Sequence, residues 1–172
     1  MRVDRWFAFV DLSGFTSFSD EHGDEESVRV LTSFRQSVRT VATDFGVRIA
    51  KWLGDGCMLV SVDPANVVAA VCRLEALVDD AELPLQIHAG MAGGAVILLE
   101  GDDYTGGAVN LASRLADLAG PHQIFTTPYL ATFAPEGTRC EAAGFRSVSG
   151  MHDPVEVVCL GCTRMRSAEA RT

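Results

Sequence analysis

Two apolar runs, Val47 to Leu53 and Cys57 to Val62, are separated only by Gly54-Asp55-Gly56. A glycine-flanked link this short closes a tight hairpin and leaves no room for a crossover. The hairpin divides the chain's first half into a regular alternation. Before it, Val28, Leu31, Phe34, Val38 and Val41 recur at three- and four-residue steps, which predicts a helix from Ser27 to Phe45. Earlier still, Val3 to Val10 reads as a strand, with a turn at Leu12-Ser13-Gly14. After the hairpin, Asp63-Pro64 opens a helix through about Asp79, with proline at its first position. Leu85 to Leu99 is strand-like but glycine-rich, which predicts a bend near Gly93-Gly94. The first half therefore alternates strand, helix, two strands, helix, strand.

The second half is less regular. Gly106 to Leu118 reads as a helix ending before Gly120-Pro121, with Leu111, Leu115 and Leu118 as its core stripe. Short strands are expected at Gln123 to Thr126, Cys140 to Val148 and Val155 to Leu160. No internal repeat or linker interrupts the pattern. One α/β or α+β domain over residues 1–162 is expected, with a polar tail at 163–172.

Composition limits the functions open to such a domain. Its 172 residues suffice for one buried core. A net charge of -9 argues against a nucleic-acid surface, which needs a basic face. No apolar stretch approaches the ~20 residues needed to cross a bilayer, and Met1-Arg2-Val3-Asp4-Arg5 is too charged for a signal peptide. The expectation is a cytoplasmic protein with no membrane partner. Five cysteines, an odd count without an export signal, are expected to be free thiols. Cys159-Leu-Gly-Cys162 has the spacing of half a zinc site but lacks a second pair, so it reads as part of a late strand.

Two aspartates stand out chemically. Asp11 closes the apolar run Trp6-Phe7-Ala8-Phe9-Val10, where an uncompensated carboxylate is costly. Asp55 sits at the hairpin tip. If the two strands are neighbours, both carboxylates converge at one end of the sheet and suit a hard cation such as Mg²⁺ or Mn²⁺. Taken separately, Asp55 is equally well a turn residue and Asp11 a helix cap. A second cluster runs from Gly101 to Arg114, a glycine-rich loop followed by a helix. Asn110 and Arg114 lie four residues apart on one face of it, suited to a ribose and a phosphate, although a solvated helix face has the same spacing.

Taken together, Phe9-Val-Asp-Leu-Ser-Gly-Phe-Thr16, Lys51-Trp-Leu-Gly-Asp-Gly56 and Asp103 through Val109-Asn-Leu-Ala-Ser-Arg114 resemble the class III nucleotidyl cyclases. The resemblance reaches a late Gly150-x-x-x-Pro154-Val-Glu-Val segment and is nearest in kind to small stand-alone actinobacterial adenylyl cyclases. It implies a ferredoxin-like βαββαβ core, an α+β sandwich with extra C-terminal strands. It implies that Asp11 and Asp55 bind two divalent cations, Mg²⁺ or Mn²⁺, with the Leu12 backbone carbonyl as a further ligand. Gly14, Phe15 and Thr16 fall in the family's triphosphate loop. Lys51 and Asp103 match the pair that reads the purine, Asn110 the ribose-orienting residue, and Arg114 the residue that stabilises the transition state. Donor and acceptor logic then selects ATP: lysine donates to adenine N1 and aspartate accepts from the 6-amino group, whereas guanine reverses both. The implied reaction yields 3′,5′-cyclic AMP and pyrophosphate.

The resemblance also implies a head-to-tail homodimer, because Lys51 and Asp55, four residues apart, are assigned to opposite ends of one nucleotide. His88 stands where the family often has a phosphate-binding arginine and is expected in the core or an interface. The segment between Gly94 and Asp103 is shorter than usual, and a lysine common near Gly150 is missing. A weak dimer and modest activity follow. The competing reading is a cyclase-like regulatory module that binds nucleotide without turnover. A diguanylate cyclase would need a GG[DE]EF-type signature that Gly54-Asp55-Gly56 does not supply.

Overall fold

The computed structural model of the chain describes residues 1–101 and 103–161. The tail at 163–172 and Cys162, hence the Cys159/Cys162 pairing, lie outside the described residues. The elements run in the order β1 (Arg2–Leu12), α1 (Phe15–Asp44), β2 (Arg48–Leu53), β3 (Gly56–Ser61), α2 (Pro64–Asp80), β4 (Ile87–Leu98), β5 (Tyr104–Thr105), α3 (Gly107–Leu118), β6 (Ile124–Thr126), α4 (Pro128–Ala131), β7 (Arg139–Arg146) and β8 (Val155–Gly161). Among the described residues the strands form one sheet in the order β2-β3-β1-β4-β6-β8-β7, with β5 paired to β4. The segment β2-β3-β1-β4 is antiparallel throughout and is the ferredoxin-like core. The later strands extend it beyond β4.

Alternation along β1 builds two cores. Ala8, Val10 and Leu12 point to the face covered by α1 and α2, where they meet Phe34, Val38, Val67, Val71 and Leu74. Phe7 and Phe9 point to the opposite face, which α3 covers through Ala112. Asp11 follows Phe7 and Phe9 in this alternation and therefore emerges on the α3 side. Asp63 caps α2 by accepting from the Ala65 N–H at 2.8 Å, as the Asp-Pro opening predicts.

Several expectations need correction. The first helix begins at Phe15 rather than Ser27, and Gly23 breaks its geometry at φ 81°, so two helical pieces meet at a kink. The polar run before Ser27 hid the first piece. The bend or break expected at Gly93-Gly94 does not interrupt β4, which pairs with β1 in unbroken register from Arg2↔Ile97 to Leu12↔Ile87. The glycines serve close approach instead. A Cβ on Gly93 would strike the Trp6 ring across the ladder, and one on Gly90 would strike the backbone of α3 at Ala112, Leu115 and Ala116. Gly90 is thus what lets α3 lie directly on the sheet. Leu118 is exposed, not part of the core stripe, because α3 is ending as it rises off the sheet, while Leu115 is fully buried. β5 and the short α4 were not anticipated.

Candidate active site

The carboxylate pair is created by strand pairing. Asp11 pairs with Gly56 on β3 and with His88 on β4. Leu53↔Gly56 closes the hairpin, leaving Gly54, at φ 65°, and Asp55 as the turn. Asp55 is therefore carried back to the end of β1 beside Asp11. Burial raises the Asp11 carboxyl from 3.8 to about 6, and the Asp55 carboxylate adds to the rise. His88 and the Leu12 N–H, which donates to Asp11 Oδ1 at 3.1 Å, oppose it. Asp11 does not cap the following helix. Gly14, at φ 77°, is the residue at that helix start and makes no side-chain cap bond. Phe15 and Thr16 form the first turn of α1, not an open loop, so their N–H groups belong to a helix N-terminus, a favourable place for phosphate.

Asp11 opens into a cleft of about 170 Å³ between the sheet and α3, lined also by Phe9, Leu53, His88, Ser113 and Asp117. His88 is neither buried in the core nor solvent-facing. Its Nδ1 lies 2.9 Å from the Ala116 carbonyl oxygen, tying β4 to α3. That bond makes Nδ1 the donor, since the carbonyl oxygen can only accept. Cys57 beside the cleft is held as a thiol, pushed up to about 12 by burial and then by Asp11, so it is no nucleophile.

Lys51 Nζ and Asp103 Oδ1 form an ion pair at 2.8 Å. Lys51 lies level with Met58 and Phe9, two strands from β1 on the same face as Asp11. The two charged pairs thus sit on one face of the sheet, about 10 Å apart across the strands and about 7 Å along them. The Lys51 ammonium, which donates to the Asp103 carboxylate, and the Tyr104 N–H hold the Asp103 carboxyl below its usual range. Tyr104 stacks edge-on to Phe7 and accepts from Arg48 at 2.9 Å, bracing the Asp103 loop against β2. That brace was not visible in sequence, since Arg48 and Tyr104 are 56 residues apart.

Asn110 and Arg114 share the exposed face of α3, as their spacing predicts, while Ala112, Leu115 and Ala116 face the sheet. Arg114 Nη1 pairs with Asp117 Oδ2 at 3.2 Å. Neither Asn110 nor Arg114 lines the cleft beside Asp11 in its own chain.

No protein-family model matches the chain. It is 35% identical over 147 residues to an uncharacterised protein of Mycobacterium tuberculosis, covering 86% of this chain and 38% of the relative. It is 32% identical over 171 residues to a pH-sensitive adenylate cyclase of M. tuberculosis, covering 95% of this chain and 42% of the relative. Its fold superposes on the adenylyl cyclase CyaB of P. aeruginosa with a TM-score of 0.79 at 25% identity, over 96% of this chain and 97% of that one. The chain belongs to the class III adenylyl/guanylyl cyclase catalytic domains. It spans about two fifths of the length of the curated relatives it matches. The guanylyl cyclase Cya2 has the same fold, with a TM-score of 0.79 at 24% identity, so the fold alone does not select a base.

Within this cyclase domain neighbouring strands bring Asp11 and Asp55 together. Among the described residues no group of three or more His, Cys, Asp or Glu side chains gathers around a common point. Two hard carboxylates, one raised by burial and then by its neighbour's charge, nevertheless fit a divalent cation, because a cation between them removes the repulsion that the pair otherwise bears. No helix among the described residues is long and apolar enough to cross a membrane. The described cysteines, Cys57, Cys72, Cys140 and Cys159, are free.

Proposed function

We propose that this domain is an adenylate cyclase that converts ATP to 3′,5′-cyclic AMP and pyrophosphate, in a head-to-tail homodimer with shared active sites. The observation that carries the proposal is the convergence of Asp11 and Asp55 at the end of β1, on the same sheet face as the Lys51–Asp103 pair. Mg²⁺ or Mn²⁺ held by Asp11, Asp55 and the Leu12 carbonyl supplies Lewis-acid chemistry, lowering the pKa of the ribose 3′-hydroxyl and neutralising the triphosphate.

The side chains do the rest. Lys51 donates to adenine N1 and Asp103 accepts from the 6-amino group. Their ion pair must open to admit the base, which is cheap because both side chains are nearly half exposed, at 47% and 44%. Gly14, Phe15 and Thr16 receive the triphosphate at the start of α1. Asn110 orients the ribose. The O3′–Pα bond forms in line as the bond from Pα to the bridging oxygen breaks, and Arg114 donates to the α-phosphate oxygens where charge grows.

The exposure of Asn110 and Arg114 on α3 supports the dimer. Neither lines its own chain's cleft, which favours a role toward a nucleotide held by a second copy. The test is incubation with labelled ATP or GTP and Mn²⁺, followed by chromatography. Cyclic AMP as the main product is expected. Nucleotide binding with no cyclic product would identify a regulatory module instead, and cyclic GMP as the main product would overturn the base assignment.

A further inference from the structure

The turn that carries Asp55 is held from outside its own hairpin. Arg35 on α1 donates from Nη2 to the Gly54 carbonyl oxygen at 3.2 Å, across 19 residues of sequence. Its guanidinium carbon also lies 4.9 Å over the Trp52 ring, and Arg39, one helical turn further along, stacks on the same ring at 5.4 Å. Arg35 thus grips the hairpin twice, on the face of Trp52 and at the turn. Its Nε is buried without a hydrogen-bond partner among the described residues. A guanidinium that leaves one donor buried and unmet is held by its other contacts, here the ring and the Gly54 oxygen.

The Gly54 carbonyl and the Asp55 N–H belong to one planar peptide. Fixing that oxygen fixes the plane from which the Asp55 side chain departs. The restraint matters because the turn is short, its glycine sits at φ 65°, and Asp55 is pressed toward the like charge of Asp11. Repulsion alone would swing the tip outward.

We infer that Arg35 is a positioning residue for the carboxylate pair: by holding the Gly54–Asp55 peptide it keeps Asp55 within reach of the cation that Asp11 also binds. The inference rests on Asp11 and Asp55 being cation ligands. Arg39 provides the control, since its removal loosens the stack on Trp52 and leaves the Arg35–Gly54 bond in place. Lysine at position 35 keeps the charge but not the planar fork that stacks and donates at once.

The test measures Mn²⁺ binding without turnover. Free Mn²⁺ is counted by electron paramagnetic resonance as wild type, Arg35→Lys, Arg35→Gln and Arg39→Ala are titrated in the presence of a non-hydrolysable ATP analogue, with thermal unfolding recorded for each. A partner that orients a metal ligand typically contributes at least about tenfold in metal affinity, so both Arg35 variants should weaken Mn²⁺ binding by about tenfold. Arg39→Ala should stay within about twofold of wild type, even where its melting temperature falls as far as theirs. Unchanged affinity in a folded Arg35 variant, or an equal loss in Arg39→Ala, overturns the positioning role. Absence of Mn²⁺ binding in wild type overturns the ligand assignment itself, so the two failures are told apart.

Discussion

Gly56 faces Asp11 directly across the β1–β3 ladder, where a Cβ would stand 2.7 Å from Asp11 Oδ1 and 2.6 Å from the Val10 carbonyl oxygen. The missing side chain is the space in which the carboxylate sits. Gly56→Ala should therefore displace Asp11 or part the strands, since one of the obstacles is backbone. A stability loss of about 1–3 kcal/mol is expected from overpacking, read by urea unfolding. Cyclase activity should fall at least about tenfold, because the displaced group is a proposed cation ligand. Wild-type activity in Gly56→Ala would show that the carboxylate's position is not critical.

Asp11 also gives the protein a pH signature. Its folded-state pKa, about 6, lies above the ordinary aspartate value of 3.8, so the folded state holds the proton more tightly than the unfolded one. The stabilisation from that proton is complete below pH 3.8 and is lost as pH rises through about 6. Without divalent cations, Asp11→Asn should then be more stable than wild type at pH 7.5 by about 1–2 kcal/mol, a figure discounted for partial solvent screening. The difference should vanish near pH 4. Urea unfolding at both pH values checks it, and saturating Mn²⁺ with an ATP analogue should reverse the order at pH 7.5 by binding wild type alone.

Lys51 and Asp103 should govern the base and not the fold. Lys51→Glu replaces a donor with an acceptor opposite adenine N1, and kcat/KM for ATP should fall by roughly 10² in this partly open site. The ratio of ATP to GTP turnover should fall with it. The melting temperature should not change measurably, because the ion pair is solvent-exposed. An unaltered ATP preference would remove this pair from base recognition.

Shared sites make an arithmetic prediction. Asp11→Ala and Arg114→Ala should each be inactive alone. In an equal mixture half the dimers are mixed, and each mixed dimer keeps one intact site of two. Activity should return to about a quarter of wild type under two-fold symmetry. A mixture as inactive as its parts would mean that each chain builds its own site.

The Asp11–Asp55 and Asn110–Arg114 pairs were legible as residue types at particular spacings, Lys51 and Asp103 through the family resemblance alone, and the hairpin between Leu53 and Gly56 from its glycines. The contacts made by Arg35, His88 and Tyr104 were not. Each acts through a partner 19 to 56 residues away, and no local pattern marks such a partner. The error at Gly93 has the same root: a glycine in a strand signals either a bend or a close approach, and only the Trp6 ring across the ladder decides which.

By itself, the sequence determined the order of the longer strands and helices, the apolar side of most of them, and the chemistry of the side chains at each candidate position. These depend on period and composition, which are local. Only the tertiary structure decided that the hairpin tip returns to the end of β1, that Gly90 seats α3 on the sheet, and that neither Asn110 nor Arg114 lines the cleft beside Asp11. Those are consequences of strand register and backbone approach, and they come into being only when distant segments pack.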